Sequence, residues 1–314
     1  MATSTEDSVL AFHPYTVKTL LIPLLKQRRV AQVVKWSVYS LLLVNFGIYA
    51  VDDWQVYIAA VSSDATFDKV LETFATTIDM TAWVGLVILL EFETYILPDE
   101  AFEDWRIKVV RFLSSICYVM IIYAAYGFTV NTLDNYKIAP IPGVTDVCDV
   151  KSDGLYLQIN IIDFEKITPE NCASLSDDSE FLKIDQNISL IGRSVLGHVQ
   201  NMGWVDVVNA IFWIIVVLLI ELEVALQNAD RFGSRSLELI RAIKTFFYAV
   251  LWVNAGIWAA TGYPVYAWDA MLWIAGFWAI ELNLAEWELD RVQELAAVQS
   301  DGTKTSSLTE PVTR

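Results

Sequence analysis

The chain has 314 residues, 55% of them hydrophobic, with a mean hydropathy of +0.44, which is too apolar for a water-soluble fold of this length. The formal net charge of −17 excludes a general electrostatic attraction to nucleic acid, whose phosphates need a basic footprint. The lipid bilayer is therefore the first expected partner.

Residues 1–32 read as a cytoplasmic N-terminal segment, interfacial from Tyr15 to Leu25, with Lys18 and Lys26 at its edges and Pro23 inside. No basic stretch leads into an apolar core with a cleavage site, so no removable signal peptide is expected. A bilayer crossing takes about 20 apolar residues per helix. Six stretches meet that need: Val33 to Val51, Met80 to Leu97, Val109 to Val130, Val207 to Leu226, Leu239 to Thr261 and Val265 to Leu284. The expected fold class is an all-α polytopic membrane protein of six transmembrane helices.

Lys26, Arg28, Arg29 and Lys35 flank the first span, Arg106, Lys108 and Arg111 lie between the second and third, and Arg231, Arg235, Arg241 and Lys244 between the fourth and fifth. By the bias of Lys and Arg toward the cytoplasm, these sides and both termini are cytoplasmic. The opposite connections face the periplasm or exterior. One of them, 52–79, sets Lys69 against Asp52, Asp53, Asp64, Asp68, Glu72 and Asp79.

Self-similarity organises the whole chain. The even spans share one pattern: Asp79, Trp83, Glu91 and Glu93 recur as Asn209, Trp213, Glu221 and Glu223, and as Asp269, Trp273, Glu281 and Asn283. In the odd spans Lys35, Tyr39 and Asn45 are spaced as Lys244, Tyr248 and Asn254. An Asn-x-Gly-Ile-aromatic-Ala run opens at both Asn45 and Asn254. The third span diverges, with Arg111 before Tyr118 as Arg241 is before Tyr248, but with Ala124 at the Asn position. The expectation is three parallel helical-hairpin repeats around a pseudo-threefold axis along the membrane normal. Hairpin 1 covers 33–97 with outer insert 52–79, hairpin 2 covers 98–226 with an outer subdomain at 131–200, and hairpin 3 covers 227–287. A polar cytoplasmic tail, 288–314, follows.

Within the second insert, Leu155 to Ile161 alternates apolar and polar residues, and a further apolar run lies at Ile184 to Ile191, so a small β-containing outer subdomain is expected. Cys148 and Cys172 share this insert and are expected to form a disulfide in an oxidising compartment, while Cys117 lies inside a span. The cysteine spacing carries no metal signature, and no metal or cofactor is assigned.

Carboxylates within a span cost roughly 2.5–3.5 kcal/mol at its centre and less toward its edge, which makes them functional candidates. Glu93 and Glu223 read as structural partners of Arg111 and Arg241, because each precedes a hairpin opening with such an Arg, whereas the last copy is the neutral Asn283. Glu91, Glu221 and Glu281 are Glu in every copy and point elsewhere on their helices. If they converge on the axis they form a cation site or acidic constriction; the alternative pairs them with Lys35, Arg111 and Lys244. Asn45 and Asn254 read as interhelical hydrogen-bonding groups. Asp79 and Asp269 read as capping or dipole-favoured acids, and the three Trp as core or interfacial-belt residues.

Enzyme classes are weakened in turn. His13 and His198, the two histidines, lie outside the spans; no HExxH or P-loop motif occurs; and no mid-span Lys is available for a Schiff base. Ser194 and His198 form a weak pair with no third member. The Pro-x-Asp/Glu-x-x-Lys/Arg signature of triplicated membrane carriers is missing from the odd-helix ends. The functional expectation is a non-enzymatic membrane transport protein, a cation channel or cation-coupled carrier using intramembrane carboxylates. The alternative is a non-catalytic scaffold or accessory subunit, with cations, a second copy or a larger membrane complex as partners.

Overall fold

The computed structural model describes residues 28–96, 105–141, 144, 146–150, 155–178, 180–184, 187–228 and 234–277. The chain divides into two compact units, 1–44 and 45–314. The helix α1 (Arg28–Ala60) begins in the first and continues into the second. Within the first unit, the Trp36 and Tyr39 rings meet edge to face at 6.1 Å, and Lys35 Nζ lies 5.8 Å from the Tyr39 centroid.

The second unit continues through α2 (Phe67–Thr73), α3 (Ala75–Ile96) and α4 (Trp105–Asp134). A small sheet region follows, then α6 (Arg193–Asn228), α7 (Ser234–Thr261) and a helix α8 at 264–277; the short α5 (Cys172–Leu175) lies within the sheet region. Among the described residues three helices are long and apolar enough to cross a membrane: Ala75–Phe92 in α3, Trp105–Asp134 in α4 and Arg193–Glu223 in α6. The other three expected spans fall on α1, α7 and α8. The expected stretch in α1 carries Lys35 and Asn45, α7 carries Arg241, Lys244 and Asn254, and the described part of α8, 264–277, is shorter than a crossing needs.

The 52–79 connection is largely helical, with 61–66 outside the helices. α1 runs on to Ala60, and Asp53 at its end accepts from the backbone N–H of Thr77 at 2.8 Å and from its hydroxyl at 2.7 Å. A carboxylate from a neighbouring helix thus satisfies a donor in the first turn of α3 that the helix itself cannot. Lys69 is buried and bonds Asp134 at 2.8 Å, with the exposed Lys137 on the other Asp134 oxygen at 2.9 Å. α3 and α4 approach closely where Gly127 lies: a Cβ there would stand 3.0 Å from that of Ala75. At Gly203 of α6 the added carbon would be 2.7 Å from Thr132 Oγ1, so α4 and α6 also need a missing side chain to pack.

The sheet order is β1-β4-β5-β2-β3, from β1 (Ile138–Pro140), β2 (Tyr156–Gln158), β3 (Phe164–Lys166), β4 (Phe181–Ile184) and β5 (Leu190–Gly192). All pairings are antiparallel except β2 with β5. Both runs singled out in the sequence contribute strands. The period of two sends Phe181 and Leu190 into one core with Val147, Leu157 and Cys172, while Leu182 and Ile191 enter another with Ile184, Leu196 and Val199. The second core includes the first turns of α6, which welds the lobe to that helix.

Cys148 and Cys172 form the expected disulfide. Beside it, Asp146 accepts from the Ser176 hydroxyl at 2.6 Å and the Cys148 N–H at 2.7 Å, bonds that hold its carboxyl below the ordinary range. The lobe also meets the ends of the long helices. Ile188 N–H donates to Ala60 at 2.8 Å, and His198 of α6 hydrogen-bonds the Tyr263 hydroxyl at 3.0 Å beside the α7–α8 turn.

Candidate functional site

Three carboxylates, Asp79, Asp206 and Asp269, line one cavity of about 90 Å³ at the lobe-proximal ends of α3, α6 and α8. Helical spacing supplies its polar floor. In α3, Trp83 lies one turn after Asp79 on the same face, and its indole N–H donates to the Asp79 carboxylate at 3.1 Å. Trp273 stands in the same i+4 relation to Asp269 and lies within its electrostatic reach, as does Tyr49. Asn45 of α1 donates to Asp269 at 2.7 Å, an interhelical bond of the kind expected for this amide.

The walls are aromatic. Trp83 contacts Trp213 edge to face at 6.2 Å and Trp273 at 5.9 Å, and Phe277 touches all three, at 5.9, 5.2 and 6.2 Å respectively. A second chain of rings runs from Tyr49 to Tyr266 at 5.2 Å and on to Trp258 at 5.9 Å. Asn209 contributes a buried carbonyl oxygen with no hydrogen-bond partner. Trp258 faces Asp206, yet its buried indole N–H has no acceptor in bonding geometry. Among the described residues, those lining this cavity include no Lys, Arg or His.

A vestibule of about 160 Å³ lies between this cavity and the sheet lobe, and Thr76, Phe128, Asp206 and Tyr266 belong to the lining of both spaces. Gln158, Ile161 and Phe164 of the lobe line the vestibule, as do Asp53 and the Lys69–Asp134 pair. Asp206 thus stands where the two spaces meet. Among the described residues no group of three or more His, Cys, Asp or Glu is close enough to share a metal ion.

The glutamates singled out by the sequence lie elsewhere. Glu221 is exposed on α6 and accepts from the Tyr118 hydroxyl of α4 at 2.6 Å. Glu91 is half-buried on α3, and Glu281 lies outside the described residues. Glu223 is buried and accepts from Arg241 Nε at 2.6 Å and Lys244 Nζ at 2.7 Å, joining α6 to α7. Arg111 is exposed on α4, while the side chain of Glu93, its expected partner, lies outside the described residues. Asn254 is buried with its amide nitrogen unpaired. Ser194 bonds Asp178 at 2.7 Å and His198 bonds Tyr263, so this pair is divided between two separate contacts.

Sequence reasoning placed Asp79 and Asp269 at helix caps and left Asp206 out. The signal for the first two was present in the Asp/Asn-x-x-x-Trp spacing, which puts both side chains on one face. For Asp206 the signal was an acid abutting an apolar run of 20 residues, Val207 to Leu226.

Fold and site together describe a mostly helical chain with a small disulfide-bonded sheet lobe, three helices apolar enough for a membrane, and an acidic, aromatic-walled cavity where long helices meet the lobe. No family model, curated protein or solved structure matches the chain.

Proposed function

We propose that this chain is an integral membrane transport protein, a cation channel or cation-coupled carrier, whose intramembrane carboxylates Asp79, Asp206 and Asp269 line the cation path. The observation that carries the reading is a cavity with three carboxylates and, among the described residues, no basic lining residue. Uncompensated buried charge is expensive, so such a site calls for a proton or a cation. Neutral donors from Asn45 and Trp83 orient the carboxylates without cancelling their charge.

The lining also supports the triplicated architecture. Aligning the three hairpins by their Trp residues brings Asp79, Asn209 and Asp269 into one set and Thr76, Asp206 and Tyr266 into another; both sets line the same cavity with the Trp triad. Aligning the odd helices on Asn45, Ala124 and Asn254 makes Tyr49, Phe128 and Trp258 equivalent, and these line it too. Equivalent positions meeting around one space are what a pseudo-threefold bundle of six spans produces. In this reading the termini are cytoplasmic and the lobe, vestibule and cavity mouth face outward, as the Lys and Arg distribution requires.

Glu91 and Glu221 lie twelve residues beyond Asp79 and Asn209, about 18 Å along their helices at 1.5 Å per residue. In this reading they form an inner, secondary pair of carboxylates, at the opposite end of the path from the vestibule. The bonds of Tyr118 to Glu221 and of Arg241 and Lys244 to Glu223 favour the alternative, a non-catalytic scaffold whose acids tie helices together.

Purified protein in liposomes should pass monovalent cations down a gradient. Asp206→Asn and Asp269→Asn should abolish most of that flux while melting close to wild type, and Glu221→Gln should retain more of it. Wild-type liposomes as tight to cations as empty ones would reject transport in favour of the scaffold.

A further inference from the structure

Resting on that reading of the cavity, we propose that its ligand is a small ammonium ion, either ammonium itself or an amine bearing a few methyl groups. Asp206 and Asp269 supply the charge, and the indole rings supply the walls. Divalent metals need several oxygens converging at roughly 2.0–2.6 Å. The described residues offer no such cluster, and each carboxylate here comes from a different helix.

Indole faces carry negative potential and attract weakly hydrated cations, which is the chemistry of aromatic cages for methylated amines. Trp83, Trp213, Trp258 and Trp273 all line this one space, an aromatic content far beyond what a site for hydrated alkali ions needs. A buried acceptor independent of the acids also lacks a hydrogen-bond partner at the cavity. It is Asn209 Oδ1, which needs a donor, whereas the Trp258 indole N–H is itself a donor and suits the neighbouring Asp206 carboxylate rather than a cation. An ammonium N–H satisfies the Asn209 oxygen and Asp206 together, whereas a ligand without N–H or O–H donors leaves the amide unpaired. The volume of about 90 Å³ is smaller than the roughly 150 Å³ cavity known to admit benzene, so the ligand has only a few heavy atoms.

The test uses the full chain in lipid nanodiscs and in liposomes. Binding of ammonium, methylammonium and trimethylammonium is measured by calorimetry and tryptophan fluorescence, against Na⁺, K⁺ and Ca²⁺ at constant ionic strength. Ammonium ions should bind and resist displacement by the inorganic ions. Asp206→Asn should weaken them by about tenfold or more, and Trp213→Leu should weaken trimethylammonium more than ammonium, as loss of a desolvated cation–π contact does. Should a variant fail to fold, the order of affinities in the wild type decides.

Inorganic cations that bind and pass through while ammonium ions neither bind nor compete would overturn the ligand class and leave cation transport standing. Ammonium binding without flux of any cation would uphold the site and overturn transport. Absence of all cation binding, or ammonium binding indifferent to both substitutions, would overturn the proposal.

Discussion

Removing the Glu223 carboxylate tests whether the polar contacts between α6 and α7 hold the helices together. The Glu223 side chain is 11% exposed, and of its two partners Lys244 is 9% exposed and Arg241 52%. Breaking a buried pair by neutralising one member costs roughly 3–5 kcal/mol, because the remaining charge loses its partner without regaining water. That estimate applies to the Lys244 half. The Arg241 half behaves as an exposed pair, worth roughly 0.2–1 kcal/mol, since its guanidinium can turn into solvent. Glu223→Gln should therefore lower stability by about 3 kcal/mol, the low end reflecting its position at a helix end. Arg241→Gln should cost less than about 1 kcal/mol. Lys244→Met, combined with Glu223→Gln in a double-mutant cycle, should show a coupling of about 2 kcal/mol. Denaturant unfolding in mixed micelles, followed by circular dichroism, gives these values. Equal losses for Arg241→Gln and Glu223→Gln, or no loss for Glu223→Gln, would refute the assignment of the buried half as the stronger one.

Replacing Cys148 and Cys172 together with Ser should loosen the sheet lobe by about 3 kcal/mol, the chain-entropy value for a loop closed across a separation of 24 residues, whereas Cys117→Ser should leave lobe proteolysis unchanged. Equal protease sensitivity of all three proteins would contradict this. For orientation, a cysteine placed at Ser234 in a chain with Cys117 replaced should react with a membrane-permeant maleimide and resist an impermeant one in intact cells. Impermeant labelling at that position would reverse the proposed topology.

The amino-acid sequence determined the apolar segments, the cysteine pair and the regions that become strands. These depend on composition and on periods of two or 3.6 residues, which are local properties. The Asp/Asn-x-x-x-Trp spacing at 79, 209 and 269 likewise put a polar group and an indole on one face of each of three helices. What it did not decide was which face turns inward. Counting 100° per residue from Asn209, Glu223 returns to within about 40° and Glu221 lies about 120° away. Helical geometry therefore separated the two glutamates but gave no absolute direction. Only packing did so, with Val216 fully buried on the Asn209 side of α6 and Glu221 left exposed beside Tyr118. The same holds for Asp206. In the sequence it was an acid at the edge of an apolar run, and it became part of a site because residues 49, 209, 258 and 269 approach from other turns and helices. Sequence spacing fixes angles within one helix, whereas the rotation of each helix about its own axis is set by the close approaches at Gly127 and Gly203 and by the rings that fill the space between helices.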